Sequence, residues 1–532
     1  MKNKAFKIFL LSLIIFGICS CNNSSNNDEY IINEENLKIT DKFDNNQTFY
    51  EIFVGSFSDS DGDGIGDLRG VINRLDYLND GDPNSGKSLG VTGIWLMPIF
   101  TSPSYHKYDV TNYYAIDSDY GTIDDLKELI DECHKRGITL IIDLPINHTS
   151  STNTWFIRFK EALIKNDLEN QYADYYSKCL SSEIPSGRTF NSVSGTVWMY
   201  ECNFDSGMPE LNFDNEEVRD EVLKIAQYYL ELGIDGFRFD AAKYIYFGDN
   251  KASIDFWKWY MAELRKIKSD VYCVAEVWDG VQTIKDYYQG VDCFDFSFSQ
   301  SEGLIATTAK GGNVSSYINS LISYNNDIKK INNDNVMAPF IANHDMDRAA
   351  GYLSISSGNA YSAASLLLLT NTTPFIYYGE EIGMKGSRGS SNTDANRRLA
   401  MLWGDDDTVK DPIGTSYSKD KQTNGIVVDQ LKEKESLYNH YKKLIMMRKY
   451  NKEISDGTYE LVNLKTTSSV GGFIARLDNS SCMVIHNTGN EEVEIDLSNY
   501  AYHTINSYAG INSASMNNNV LKLSGKTSVV LR

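Results

Sequence analysis

Residues 233–243 read Gly-Ile-Asp-Gly-Phe-Arg-Phe-Asp-Ala-Ala-Lys. Phe237 and Phe239 alternate with Arg238 and Asp240. In a strand, period-two alternation sends the aromatics to one face and the charged pair to the other. Asp and Arg are seldom fully buried unless paired. A guanidinium two residues away favours the ionised carboxylate, the form a carboxylate nucleophile needs. Taken alone the pair reads equally as a structural ion pair at a strand end, because such pairs also perturb titration.

The segment before this strand is helical. Val218, Val222, Ile225, Tyr229 and Leu232 recur at spacings of 4, 3, 4 and 3 after Asn215, and Gly233 closes the run. An earlier helix is predicted from a capping box, Thr122 with Asp125, to a C-terminal glycine, Gly137. Short apolar strands are predicted at Tyr50–Val54, Gly93–Met97, Thr139–Asp143, 237–240, Val271–Glu276, Phe294–Phe298, Ala338–Ala342 and Phe375–Tyr378. Eight strands, many separated by helical patterns, predict a (β/α)8 barrel. The stretch from Asn147 to Asn212 is too long for a strand-to-helix loop and reads as an inserted subdomain. After a helix ending near Lys449, alternating segments such as Gly472–Arg476 and Ser481–Ile485 predict a small antiparallel β-domain over 451–532.

The N-terminus reads as a targeting segment. Lys2, Lys4 and Lys7 precede an apolar run, Ile8–Ile18, too short to span a bilayer comfortably. It ends in Ile18-Cys-Ser-Cys21, which resembles a bacterial lipoprotein box with Cys21 as the lipidated residue; simple secretion with cleavage near Ser20 is the alternative. Residues 21–45 would be a polar tether, and the expected location is membrane-anchored, facing the periplasm or the exterior. The net charge is −22, and removal of residues 1–20, with three lysines and no acid, takes it to −25. Such a chain repels nucleic acid and anionic lipid and suits an uncharged substrate. The cysteine spacings match no zinc or redox pattern; Cys179 and Cys202 are the one pair placed to join.

Polar residues cluster at the C-terminal ends of the predicted strands: Asp143, Asn147 and His148, then Arg238 and Asp240, then Glu276, then Asn343, His344 and Asp345. A parallel barrel brings these ends to one rim, where barrel enzymes hold their sites. Three carboxylates meeting beside Arg238 repel one another, so one stays protonated while another ionises. Glycoside hydrolysis by two carboxylates requires that division.

Asp143-Leu-Pro-Ile-Asn-His148, Gly233–Asp240, Val274-Ala-Glu-Val-Trp278 and Phe340-Ile-Ala-Asn-His-Asp345 resemble the four signature regions of the α-amylase family of glycoside hydrolases, and Met208-Pro-Glu-Leu-Asn212 resembles a fifth. The resemblance implies a barrel over about 46–450, a domain B inserted at about 149–212 and a C-terminal β-sandwich. It implies that Asp240 is the nucleophile, Glu276 the general acid and then base, and Asp345 the stabiliser of the transition state, with Arg238 keeping Asp240 ionised. By the same resemblance His148 and His344 bond the central sugar, Tyr108 is a stacking platform with His106 beside it, Lys243 contacts substrate, and Arg348 pairs with a site carboxylate. Where the family carries histidine after Lys243, this chain has Tyr244.

Asp59-Ser-Asp-Gly-Asp-Gly-Ile-Gly-Asp67 places carboxylates at positions 1, 3, 5 and 9 and a carbonyl, that of Ile65, at position 7. Asp59, Asp61, Asp63, Ile65 and Asp67 can thus wrap a hard cation such as Ca²⁺. Gly70 stands where an EF-hand has its glutamate. The loop resembles the calcium loop after the first barrel strand in the oligo-1,6-glucosidase-like and neopullulanase-like α-amylases; Asn147 is a weaker candidate for a second calcium. The activity expected is a monomeric, retaining, endo-acting α-amylase on starch and maltodextrins, Ala241 and Lys243 being the amylase-like residues after the nucleophile. An exo-acting α-glucosidase, oligo-1,6-glucosidase or maltogenic enzyme is the alternative, favoured by Asp109, which can close the donor end of the cleft; a non-catalytic glucan-binding lipoprotein is a third reading.

Overall fold

The computed structural model describes residues 47–532; the targeting segment, Cys21 and the tether lie outside the described residues. Seven parallel strands form one curved sheet: β1 (Phe49–Ile52), β2 (Gly93–Leu96), β3 (Thr139–Leu144), β4 (Gly236–Phe239), β5 (Tyr272–Ala275), β6 (Asp292–Cys293) and β7 (Phe375–Tyr377). Their order is β6-β5-β4-β3-β2-β1-β7. The barrel closes through two parallel bridges, Phe294 to Ala338 and Phe340 to Phe375.

The strand expected at Ala338–Ala342 is therefore reduced to two bridge residues. Pro339 sits between them and has no N–H to give a ladder, although its carbonyl accepts from Phe375 N. The strand expected at Phe294–Phe298 instead begins at Asp292. It lapses after Phe294 because the Asp295 carboxylate takes hydrogen bonds from Ser297 N (2.9 Å) and Ser297 Oγ (2.6 Å), a local turn that competes with pairing.

The helices before β3 and β4 follow the sequence logic. α1 (Ile123–Lys135) opens on the reciprocal Thr122–Asp125 capping box. It closes with Gly137 in the left-handed region, Gly137 N bonding His134 O and Ile138 N bonding Cys133 O, the paired bonds of a Schellman end. α2 (Glu216–Leu232) buries Val218, Val222, Ile225 and Tyr229 and ends at left-handed Gly233. Gly236 then starts β4, where a Cβ would lie 1.6 Å from the Tyr272 carbonyl oxygen. Only glycine lets β4 and β5 approach there, and that register sets Asp240 and Glu276 on neighbouring strand ends.

Between Asn147 and Asn212 the chain leaves the barrel as a helix (Thr154–Ile164) and a three-stranded antiparallel sheet with Trp198–Glu201 in its centre. Antiparallel bridges, His148 to Glu210 and Tyr176 to Leu211, tie this insertion back to the rim. Cys179 and Cys202 both stand as free thiols, so the pairing considered for them does not form. Beyond the helix Leu437–Tyr450, a five-stranded and a three-stranded antiparallel sheet enclose a core of Ile474, Met483, Ile485, Ile495, Leu521 and Leu523. Among the described residues no helix is long and apolar enough to cross a membrane.

Candidate active site

Arg238 stands at the centre of the rim. β4 ends with its side chain inside the barrel mouth, fully buried beneath the Trp95 ring, 5.3 Å from the ring centre. Its Nη1 meets Asp143 at 2.8 Å and Asp240 at 2.7 Å, and its Nη2 meets Glu276 at 2.9 Å. One guanidinium thus holds three carboxyl groups from three adjacent strands. Ala241 follows in the left-handed region (φ 48°), which few non-glycine residues occupy; this turns its N–H onto Glu276 Oε2 at 3.0 Å.

Burial raises the Glu276 carboxyl to about 7, Arg238 opposing and Asp240 and Asp345 adding to the rise. Burial likewise pushes Asp143 up to about 7 against Arg238. Asp240 is also raised by burial, which outweighs the pull of Arg238. Arg238 does pull Asp240 toward the ionised form, as expected, but the guanidinium is shared with Asp143 and Glu276, and Asp345 pushes the other way.

Asp345 behaves oppositely. Burial would raise it, but His344 and Arg398 hold its carboxyl well below the usual range. His344 Nε2 lies 3.0 Å from Asp345 Oδ2, and Arg398 Nη2 lies 2.8 Å from Asp345 Oδ1. The other ring nitrogen of His344 meets Glu51 of β1 at 2.5 Å. Between two carboxylates the imidazole rises to about 10 despite burial, so it stands as an imidazolium. Tyr108 lies on its ring with centroids 5.6 Å apart and donates to Asp143 Oδ2 at 2.9 Å.

The remaining predicted residues fall around this core. His106 and His148 are both pushed down to about 4 by burial and are neutral near pH 7. His148 Nε2 is buried without a hydrogen-bond partner. Asp109 takes hydrogen bonds from Ser102 and Ser104. The Lys243 ammonium is tied to Trp278 O at 2.8 Å and Asp279 at 3.1 Å. An open cleft of about 1110 Å³ runs from Asp345 past Trp278 and Tyr417.

Arg348 is the misplaced prediction. It reaches no site carboxylate; its Nη1 donates to Tyr378 O at 2.6 Å and its Nε to Arg397 O at 2.9 Å, with the guanidinium over the Tyr377 and Tyr378 rings. The arginine that does pair with Asp345 is Arg398, which sequence reasoning missed together with Glu51. Glu51 sat in view as the lone charge in a predicted barrel strand. Arg398 follows a 3₁₀ turn (Asp394–Arg397) in irregular chain, with no periodicity to place it.

In the loop after β1, carboxylate oxygens of Asp59, Asp61 and Asp67 lie within 4.8 Å of one another. Asp63 stands outside this group, its carboxylate turned to Ile65 N at 2.7 Å; nothing in the loop's contacts singles out the Ile65 carbonyl as a ligand. Gly70 cannot carry a side chain, since a Cβ there would lie 1.9 Å from Ser58 O. Three clustered hard oxygen donors fit Ca²⁺ in type. Among the described residues this is the one group of three or more His, Cys, Asp or Glu side chains so arranged, and no such group stands beside Asn147.

Residues 51–457 match the family model of the α-amylase catalytic domain. The chain is 39% identical over 459 residues to Alpha-amylase 3 of Dictyoglomus thermophilum, covering 85% of this chain and 87% of that one. It is 30% identical over 460 residues to a 4-alpha-glucanotransferase of Thermotoga maritima, covering 84% and 96%. Among solved structures it superposes on Eubacterium rectale Amy13B with a TM-score of 0.84 at 36% identity, covering 94% and 98%. With the catalytic-domain match spanning most of the chain and the rim carboxylates converging on one arginine, the chain belongs to the α-amylase family of glycoside hydrolases.

Proposed function

We propose that this enzyme is a retaining, endo-acting α-amylase that cleaves α-1,4-glucosidic bonds of starch and maltodextrins through a covalent glycosyl-enzyme. The observation that carries the reading is the shared contact of Asp240 and Glu276 with one guanidinium, at 2.7 and 2.9 Å. Two carboxyl groups held on adjacent nitrogens of one guanidinium are close neighbours. This suits the separation of about 5–5.5 Å at which the second carboxylate attacks directly, rather than the wider gap that admits a water.

In the first step Glu276, protonated near neutrality, gives its proton to the glycosidic oxygen while Asp240 attacks the anomeric carbon. In the second, the Glu276 carboxylate takes a proton from water, which displaces Asp240. Asp345, kept ionised by His344 and Arg398, accepts hydrogen bonds from sugar hydroxyls as positive charge builds on the ring. The His148 Nε2 supplies a further contact.

Asp59, Asp61 and Asp67 would hold Ca²⁺, which would stiffen the loop that follows β1; no proton or bond transfer passes through it. The expected setting is an exported monomer anchored through Cys21.

An exo-acting reading, α-glucosidase or oligo-1,6-glucosidase, draws on Asp109. Its carboxylate is fixed by Ser102 and Ser104 near His106, where it can cap the donor end. Incubation with dye-linked amylose, maltose and isomaltose separates the two. Release of dye from amylose is expected; glucose from the disaccharides with intact amylose would sink the endo-acting reading.

A further inference from the structure

In β1, period-two alternation sends Phe49 and Glu51 to one side and Tyr50 and Ile52 to the other. Phe49 stacks on Phe375 of β7 and Tyr272 of β5, with ring centres 4.7 and 5.1 Å apart, so that side is the barrel interior. Glu51 therefore stands one layer above an aromatic floor, with 1% of its surface exposed. A carboxyl group in such a place is costly unless a partner meets it. The partner is His344 Nδ1, at 2.5 Å.

The protons on His344 follow from its neighbours. Nε2 lies 3.0 Å from Asp345 Oδ2 and 2.8 Å from the Tyr108 hydroxyl oxygen. That hydroxyl gives its proton to Asp143 Oδ2, so toward His344 its oxygen accepts. Nε2 thus faces two acceptors, and Nδ1 faces a third in Glu51. An imidazole whose nitrogens both meet acceptors carries both protons. Orientation has other supports: Tyr108 is stacked on the ring at 5.6 Å, and Trp95 stands against it at 5.7 Å with planes 75° apart. What Glu51 adds to these is charge.

The rim has a use for that charge. Asp143, Asp240, Glu276 and Asp345 are met by two guanidiniums, and Arg238 is divided among three of the four. His344 is a third cation. Burial raises Asp345, and His344 is the foremost group that opposes it; burial raises Asp240 too, and there His344 pulls the same way as Arg238. Asp345 also faces Tyr105, His106, Arg388 and Asp394 from the loops around it, and Glu51 faces Tyr377 of β7.

We propose that Glu51 is a positioning residue for the reaction: through Nδ1 it keeps a second proton on His344, and the imidazolium in turn keeps Asp240 and Asp345 ionised while Glu276 holds its proton. The proposal rests on the two-step reading above for what those carboxylates do. It makes a residue on the floor side of the site, out of reach of substrate, part of the division of protons at the rim.

The test uses Glu51→Gln, whose amide can donate to Nδ1 and so keeps the ring in place while removing the charge. The first readout is the ¹⁵N spectrum of the histidine rings, with the His344 signal identified by its absence from His344→Asn. In the parent the ring is expected to hold both protons at pH 8; in Glu51→Gln it should have lost one. The second is kcat/KM on maltodextrin against pH. The acid limb should move up by about one pH unit in Glu51→Gln, because an opposite charge nearby lowers a carboxyl by about one to three, and should return in Glu51→Asp, which restores the carboxylate. A Glu51 that serves only packing would lower kcat at every pH and leave the limb in place. That outcome, or a neutral His344 ring at pH 8 in the parent, would overturn the proposal. A parent inactive on every α-glucan sinks the hydrolytic reading, and the catalytic half of the proposal with it. The ring spectrum needs no turnover, so it still decides the proton on His344, also where Glu51→Gln does not fold.

Discussion

Two acidic clusters lie on the same side of this barrel and are balanced in different ways. At the rim, Asp143, Asp240, Glu276, Asp345 and Glu51 are met by side-chain cations: Arg238, Arg398 and the His344 imidazolium. In the loop after β1, Asp59 is met by the N–H groups of Asp61, Gly62 and Gly64 and by the Thr408 hydroxyl, and Asp67 by Ser60 and Gly70. Buried cations let neighbouring carboxyls hold different protonation states, which is what acid–base chemistry uses. Backbone donors instead fix carboxylate geometry and leave negative charge uncancelled, which is what a site for an incoming cation uses. The first cluster suits proton transfer, and the second offers the donors that the proposed calcium would need.

Replacing the two carboxyls proposed to react is the largest expected disturbance. Asp240→Asn and Glu276→Gln should each lower kcat on maltodextrin by about 10⁴-fold or more, with folding retained; substantial turnover in either variant breaks the assignment. Next in size is Arg398→Met. It leaves Asp345 with only His344 as a direct cation and should reduce kcat/KM about 100-fold, roughly the worth of one preorganised charge contact. The accompanying signature is an acid limb of the pH profile moved upward, because the carboxyl that Arg398 helps to lower would titrate at higher pH. Arg348→Met should leave that limb where it is.

The pH behaviour of Glu276 gives a third prediction with a definite sign. Its carboxyl is raised to about 7, and the acid must carry its proton to act, so kcat/KM should fall as pH rises through about 7. The same group takes up a proton on folding between its unfolded value, about 4.3, and about 7. By linkage its contribution to stability is fully present below the unfolded value and is lost as pH rises through the folded one. Glu276→Gln removes that loss, so its melting temperature relative to the parent should be higher at pH 8 than at pH 5. An offset that does not change with pH would show that Glu276 is not the raised group.

Sequence carried the parts of this architecture that repeat. Alternation found the strands through β5, and caps at Thr122 and Gly233 placed the helices between them. The rim followed, because barrel topology sends all strand ends one way. It failed where local chemistry overrode the pattern. Pro339 and the Asp295 turn cut two strands short, and both residues were visible, but an apolar run outweighed them. Arg348 was expected at the site by resemblance, but the turn after Asp345 carries its guanidinium to the carbonyls of Tyr378 and Arg397. Arg398 comes from 53 residues beyond Asp345, through chain without periodic pattern. Phe204, on the insertion, meets Tyr244 where the His148–Glu210 and Tyr176–Leu211 bridges tie that insertion back to the rim.

The loop offers the smallest expected effects and the sharpest contrast between pattern and geometry. If it holds calcium, a chelator should lower the melting temperature by several degrees, since an ion bound only to the folded state stabilises it by mass action; an unchanged transition would remove the metal from this account. The position pattern alone makes Asp61 and Asp63 equivalent ligands. The structure separates them: Asp61 lies in the cluster with Asp59 and Asp67, whereas Asp63 is committed to Ile65 N. Asp61→Asn should therefore weaken calcium binding, measured by calorimetric titration, about tenfold, and Asp63→Asn by less. Asp67 is unsuitable for this comparison, because it also caps the helix Leu68–Asn73 through Gly70 N, and its loss costs about 1 kcal/mol of stability without any metal. Equal losses at Asp61 and Asp63 would mean that the loop rearranges around the ion and that the spacing of its acids, rather than their resting geometry, decides what binds.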